Sequence, residues 1–400
     1  MMDIAFGDWL NLALRWAHIV TGVAWIGSSF YFMWLDAHLE KPAEQKEGVE
    51  GEIWMVHSGG FYQVHKIDVA PKKMPKTLHW FVWEATFTWI TGALLLALVY
   101  YLGARVFMVD PAVAEIAPET AVAIGIGAIA VAWFAYDALW ASPLVKNNQG
   151  IANLISLAVL AGIAFGFSQI FSGRAAFIHT GAVMGTIMAA NVWRRIIPSQ
   201  QGLVAAAKAG TTPDPQLGIK AKQRSVHNNY LTLPVIFCMI SAHYPMTFGH
   251  RFNWIVLLAL FVIGAVVRHS FNLRNKGRKG AGWVAIGTST AGLLALMVAT
   301  GLPQTGSGGA EKGPVAFAVV EKIVAKHCVS CHAKKPSRED FEEAPKGVML
   351  ESPAQIKKWA AKIKKQSVDT KVMPLGNESK MTLSERALLG RWIKAGAKIE

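Results

Sequence analysis

The sequence predicts an all-α fold: an eight-helix transmembrane bundle followed by a small soluble helical domain. Three observations carry this. Hydrophobic residues make up 52% of the 400 and charged residues only 16%, against roughly 25% charged in an ordinary soluble domain. Eight stretches approach the roughly 20 apolar residues that a helix needs to cross a bilayer. The last 88 residues or so return to a polar, lysine-rich composition. A mean hydropathy of +0.31 excludes a wholly soluble enzyme. Fifteen tryptophans and nineteen phenylalanines exclude disorder, and three cysteines are too few for a disulfide framework.

The predicted spans are roughly 10–35, 80–102, 121–142, 151–171, 175–197, 230–248, 252–271 and 281–301. The first lacks the short apolar core and Ala-x-Ala-like site of a cleaved signal peptide, and Asp36 and His38 follow it. It reads as a permanent span. The sixth is the weakest, because Pro234 and Cys238 interrupt a short run and His243 lies near its end. Residues 1–301 thus form the membrane domain, 302–312 a flexible Gly/Ser-rich linker and 313–400 the soluble domain. Helices one to four and five to eight run in the same order and direction, which allows a 4+4 parallel repeat.

Basic residues set the direction. Outside the soluble domain, one side of the predicted membrane carries Arg105, Arg174 and Arg251; the other carries eighteen lysines and arginines, among them Arg194, Arg195, Lys222, Arg224 and Arg268. Cytoplasmic loops hold the excess of Lys and Arg, so both termini are expected in the periplasm of a bacterial inner membrane. The net charge of +14 then reports topology and a basic tail rather than nucleic-acid binding, for which no basic-aromatic motif is present.

Cys328-Val-Ser-Cys331-His332 is the most specific motif. Cys-x-x-Cys-His is the attachment pattern of c-type haem: the two thiols add to the vinyl groups and the histidine binds the iron. A zinc site would need four ligands, and the only other cysteine, Cys238, lies in an apolar segment. The soluble domain therefore reads as a small class-I-like cytochrome c. The second axial ligand is expected downstream, where Met373 precedes Pro374 in a loop and a helix starts near Thr382, with Glu385 at capping-box spacing. Met349 and Met381 compete for that role. Lys357, Lys358, Lys362, Lys364 and Lys365 share a helix with Ile356, Trp359 and Ile363, and read as a solvated face before a docking patch. Bacteria attach haem c on the periplasmic side, which agrees with the loop charges.

Ionisable groups within spans default to functional hypotheses. His18 shares a helix face with Gly22, Trp25 and Ser29, and His179 with Val183, Thr186 and Ala190. Small neighbours leave room for a flat macrocycle, and equally for close helix packing. His79 and His227 are predicted to open the second and sixth spans, and His269 to close the seventh. These five histidines are candidate ligands of a b-type haem, with His18 and His179 favoured for their depth. The other three also suit interfacial hydrogen bonding. Glu84, Asp137 and Asn191 are each a candidate proton relay, substrate acceptor or structural partner. Most of the tryptophans read as interfacial belt.

Three segments carry a resemblance over nearly the whole chain. They are Arg15-Trp16-Ala17-His18-Ile19-Val20-Thr21-Gly22 with Trp25-Ile26-Gly27-Ser28-Ser29-Phe30, Glu52-Ile53-Trp54-Met55-Val56-His57-Ser58-Gly59-Gly60-Phe61-Tyr62, and Leu78-His79-Trp80-Phe81-Val82-Trp83-Glu84. Together with the spans and the C-terminal motif, they resemble the bacterial membrane-bound urate hydroxylases, the integral-membrane urate oxidases of purine catabolism. The resemblance implies hydroxylation of urate to 5-hydroxyisourate with the cytochrome accepting the electrons, so that hydrogen peroxide need not form. The first span also resembles that of four-helix protoporphyrinogen-oxidising membrane proteins, whose histidine there is tied to b haem.

On this reading the partners are urate, the lipid bilayer and a periplasmic or membrane electron acceptor such as a soluble cytochrome or a terminal oxidase. Urate is expected near the cytoplasmic mouth beside His57, His65 or His79, complemented by Arg194, Arg195 or Arg268. Glu84 and Asp137 complete the catalytic candidates. The alternative is a haem b/haem c electron-transfer subunit that serves a separate dehydrogenase.

Overall fold

The computed structural model describes residues 2–44, 48–67, 71, 74–301, 315–338 and 341–399. The expected linker at 302–312 lies outside the described residues. The chain opens with α1 (Met2–Ala37) and a hairpin of β1 (Val49–His57) and β2 (Gly60–Ile67). Then come α2 (Trp83–Leu95, continued by a π-turn through Tyr101), α3 (Ala104–Phe107), α4 (Pro118–Ala141), α5 (Pro143–Asn147) and α6 (Gln149–Ile170). The second half holds α7 (Gly173–Asn191), α8 (Ile197–Lys208), α9 (Pro215–Ile240), α10 (Pro245–Phe248), α11 (Asn253–Asn275) and α12 (Ala281–Gly301). The C-terminal domain is α13 (Phe317–His327), α14 (Pro353–Ile363) and α15 (Leu383–Lys394).

Among the described residues, six helical segments are long and apolar enough to cross a membrane: 83–101, 118–141, 149–170, 173–208, 253–275 and 281–301. Two further helices have similar length but more polar sequences. α1 carries Asn11, Arg15 and His18, and the first half of α9 carries Lys220, Lys222, Arg224, His227, Asn228 and Asn229. The expected sixth span is not one helix over 230–248: α9 begins fifteen residues earlier, at Pro215, and stops at Ile240, before a 3-10 turn and α10. The fifth runs on through a π-turn at Val192–Ile196 into α8.

The hairpin corrects the expectation of a wholly α-helical chain. β1 and β2 pair antiparallel with His57 opposite Gly60, and the two-residue loop Ser58-Gly59 has φ of 49° and 76°. Positive φ at both positions gives a turn whose twist matches paired strands. The flanking residues are rich in β-branched and aromatic types, which suit strands.

α7 is the central helix. Ala175, Ala176, Gly181, Ala189 and Ala190 are buried on it, and small residues let neighbouring backbones approach. A Cβ at Gly181 would lie 2.5 Å from Cys238 Cβ of α9. α4, α6, α9 and α2 all pack against α7. Its start is fixed by Ser172, whose hydroxyl accepts from the Ala175 N–H and donates to the Phe107 carbonyl.

In the C-terminal domain α13 packs on α15, around Val320, Val324, Ile356, Leu389 and Trp392. Capping boxes start α14 at Ser352/Gln355 and α15 at the expected Thr382/Glu385. The domain sits on the end of the bundle formed by residues around 105–115 and 245–253. There Gly376, at φ +62°, lets its backbone lie against Val106, where a Cβ would be 2.9 Å from the Val106 carbonyl oxygen. Gly249 abuts the Thr370 carbonyl in the same way. Val372 packs into the cluster of Phe177, Phe248 and Leu257, and Lys380 pairs with Glu115 at 3.2 Å.

Candidate functional site

The Cys-x-x-Cys-His segment lies at the C-terminus of α13, with Cys328 buried and Cys331 and His332 half-buried. Burial, together with the neighbouring Cys331, pushes the Cys328 thiol up to about 12, against a smaller opposing effect of Arg386. His332 Nδ1 donates to the Val348 carbonyl at 2.8 Å. This fixes the tautomer and turns Nε2 into the available lone pair, the arrangement typical of a metal-bound histidine.

Met373 lies in the loop between α14 and α15, half-buried, at a cis bond to Pro374. Arg386, itself buried, holds the loop: Nη1 donates to the Met373 carbonyl at 2.6 Å and also to the Ser367 carbonyl, and Nη2 donates to Asn377 Oδ1 at 3.1 Å. Met381 is 2% exposed within the domain core, so packing explains it. Met349 is half-buried beside Leu350. Among the described residues no three His, Cys, Asp or Glu side chains converge as a metal site. An iron held in a porphyrin asks for only two axial side chains.

Of the membrane histidines, His179 and His18 share one pattern. His179 is fully buried, and its Nδ1 donates to the Ala175 carbonyl at 2.8 Å. Its Nε2 has no hydrogen-bond partner and points at Gly125 of α4, where a Cβ would lie 2.9 Å away. Tyr100, Tyr101, Phe167 and Phe171 stand around the ring at centroid distances of 5.1–6.0 Å. His18 donates Nδ1–H towards the Thr88 carbonyl at 3.0 Å, with Thr91 Oγ1 at 3.1 Å, and its ring seats on Gly92. Each donates from Nδ1 and so carries its lone pair on Nε2, which faces Gly125 in His179, whereas His18 meets Gly92 through Cε1.

The other candidates are differently placed. His79 is exposed in an extended segment before α2, which begins only at Trp83. His227 lies well inside α9, shares a 2.7 Å hydrogen bond with Tyr136 and packs on Trp140. The two therefore do not open their spans, as the sequence had suggested. His269 is exposed and bonded to Tyr230 at 2.6 Å. His57 stands exposed at the hairpin turn, and His65 contacts Glu52 at 3.1 Å on the neighbouring strand. The structure does not gather His57, His65 and His79 around one site. Glu84, at the start of α2, keeps a buried Oε2 with no partner.

Asp137 joins a polar network at the end of the bundle away from the C-terminal domain. It accepts from Arg195 Nε at 2.8 Å and Arg224 Nη2 at 3.1 Å, with a second contact from Arg195 Nη2. Asn191 donates to Tyr136 Oη and to Asn228 Oδ1, at 3.1 and 3.0 Å, and Asn228 donates to the Met188 carbonyl at 2.9 Å. The network ties α4, α7 and α9 together, and it borders a cavity of about 160 Å³ lined by Trp133, Trp193, Arg194 and Arg195. Sequence reasoning passed over Arg224, Asn228 and Tyr136. The available signal was Arg224 and Asn228 at i, i+4, on one face of a helix that ends apolar.

Where the two regions meet, a cavity of about 200 Å³ is lined by Asp110, Arg174, His250, Arg251, Lys371 and Asn377. Burial, with Arg251 and Lys371 nearby, lowers the His250 pKa, so the ring is neutral near pH 7. α7 starts beneath this seam, and His179 lies six residues along it, about 9 Å of helical rise.

No curated protein and no solved structure matches the chain. The family described as Urate oxidase N-terminal matches residues 4–300, the whole membrane region from α1 to α12. By that match the chain belongs to the urate oxidase N-terminal family.

Proposed function

We propose that this protein is a membrane-bound oxidoreductase that hydroxylates urate to 5-hydroxyisourate and passes the electrons one at a time to its own haem c, with no obligatory hydrogen peroxide. The balance is urate plus water giving 5-hydroxyisourate, two protons and two electrons. The observation that carries it is the joining, in one chain, of a urate oxidase family match over 4–300 to a Cys-x-x-Cys-His segment whose histidine has Nδ1 engaged and Nε2 available.

On this reading residues 1–301 form an eight-span bundle, in which α1 and α9 join the six more apolar segments. Residues 313–400 form a class-I-like cytochrome c on the periplasmic side of a bacterial inner membrane. Cys328 and Cys331 hold the porphyrin, and His332 and Met373 are its axial ligands. Bound there, haem c supplies a one-electron acceptor. Arg386 keeps the Met373 loop in place. His18 and His179 would hold a b-type haem, within reach of the seam where the Met373 loop meets α7. The partners are urate, the bilayer and an acceptor such as a soluble cytochrome or a terminal oxidase.

Anaerobic mixing of the haem-loaded protein with urate, followed at the c-haem absorption bands, tests the proposal. Urate-dependent reduction is expected. Its absence would leave the second reading, an electron-transfer subunit for a separate dehydrogenase, which the two Nε2-free histidines also suit. Pyridine haemochrome analysis of the same sample counts b and c haems. A reporter that needs the periplasm, fused after Glu400, should be active.

A further inference from the structure

Two arginines are buried near the same end of the bundle, and only one is neutralised. Arg224, 4% exposed, is paired with Asp137. Arg268, 5% exposed, has no carboxylate partner among the described residues. It is held instead by neutral groups. Its Nε donates to Asn229 Oδ1 at 3.0 Å, and Phe30 of α1 lies 3.8 Å from Cζ. Asn272, one helical turn along α11, donates Nδ2 to the same Asn229 oxygen at 3.0 Å.

This leaves three buried polar atoms without a partner: Arg268 Nη2, Asn229 Nδ2 and Asn272 Oδ1. Asn229 is fully buried. A buried cation without a counter-charge, and buried donors and acceptors left unpaired, are costly wherever they occur. Here the three side chains that carry them are joined through Asn229 Oδ1, at the meeting of α1, α9 and α11. Together they present one positive charge, two donor atoms and one acceptor. The acceptor narrows the choice of ligand. A halide or a phosphodiester lipid headgroup could pair with Arg268 and Asn229 but has no donor for Asn272 Oδ1, and inorganic phosphate can supply one only through a P–OH. A ligand that fits all three is anionic, planar and alternates carbonyl oxygens with ring N–H groups along one edge, as an oxopurine anion does.

We infer that Arg268, Asn229 and Asn272 form the binding site for the oxopurine anion, which rests on the urate reading above and moves the substrate away from His57, His65 and His79. Arg268 Nη2 meets the anionic edge, Asn229 Nδ2 donates to a ring carbonyl and Asn272 Oδ1 accepts from a ring N–H. Phe30 closes the other face of the guanidinium and keeps water from it.

The test is equilibrium dialysis of radiolabelled urate against full-length holoprotein reduced with dithionite, so that bound urate is not consumed. Two variants are compared with the parent. Arg268→Lys keeps the charge and loses the planar fork; the urate Kd should rise about tenfold, the scale of one charge-assisted hydrogen bond. Asn272→Asp places a carboxylate beside Arg268, so urate binding should be lost while melting in detergent moves up, because the cation gains a partner inside the fold. Inorganic phosphate should not displace urate from the parent protein. Urate affinities equal to the parent's in both variants would overturn the inference, and urate-dependent haem reduction in those variants would show that the proposed function survives it. A parent protein that neither binds urate nor is reduced by it would overturn both.

Discussion

His332 in the C-terminal domain and His179 in the bundle each donate Nδ1–H to a backbone carbonyl at 2.8 Å, leaving Nε2 for another partner. They come to that state by different routes. His332 follows Cys331 directly, so its relation to both thiols is set by one helix end. His179 owes its surroundings to Gly125 on α4, Tyr100 and Tyr101 after α2, and Phe167 and Phe171 at the end of α6. A site whose donors adjoin in sequence survives small shifts in packing. One assembled from several helices depends on each of them.

The sharpest way to break this comparison is at the thiols. With Cys328 and Cys331 both changed to Ala, the c-type pyridine haemochrome should disappear while the membrane domain stays folded; a persisting c-type spectrum would remove the haem c reading. Gly125→Ala comes next. Its methyl would stand 2.9 Å from His179 Nε2, so the ring must move, and any b-type absorption should fall in parallel with that of His179→Ala. The c-type bands should remain in both. Equal b-haem content in parent and variants would show that His179 is not a ligand.

Asp137→Ala is smaller in scope but large in energy. It leaves Arg224 buried without its carboxylate, at a cost of about 3–5 kcal/mol, read as a lower melting point in detergent. An unchanged melting point would mean that water already screens the pair. Met373→Ala should lower the reduction potential of the cytochrome and keep the haem attached; an unaltered potential would pass the axial role to Met349.

The smallest effect is the dependence on pH. Partial burial alone would raise the Glu385 carboxyl. Hydrogen bonds from the Thr382 backbone N–H, His327, Lys326 and the Thr382 hydroxyl outweigh it and hold the group at about 2. Because this is below the ordinary value, the stabilisation is complete above about pH 4.3 and is lost as the pH falls towards 2. Limited proteolysis of the full chain should show the C-terminal domain opening over that window, and Glu385→Gln should remove the dependence.

Much of this architecture was legible from residue pattern. Five of the six most apolar segments were found close to their limits, because a bilayer demands long uninterrupted runs, and the fifth span was ended eleven residues early. The capping box at Thr382 and Glu385 followed from spacing alone. The hairpin at 49–67 was not found, since a loop between apolar spans was read for its charges, its histidines and its family resemblance and not for its Ser58-Gly59 turn. α9 was placed fifteen residues late because its first half is polar. Lys220, Arg224, Asn228 and Asn229 hide a helix from any hydropathy reading, yet Arg224, Asn228 and Asn229 are buried and hydrogen-bonded on it.

The order of the chain by itself determined that an apolar helical region precedes a polar, lysine-rich one, and it put two thiols and an imidazole within one short stretch. Those follow from composition and from spacing along a few residues, both of which are local. Only the packed structure decided that His179 and His18 keep a free lone pair, that Arg224 is neutralised and Arg268 is not, and that the Met373 loop rests on the end of α7. Each of these depends on which side chains from distant helices fill the space around a group, and burial by distant neighbours is not written in any short stretch of sequence.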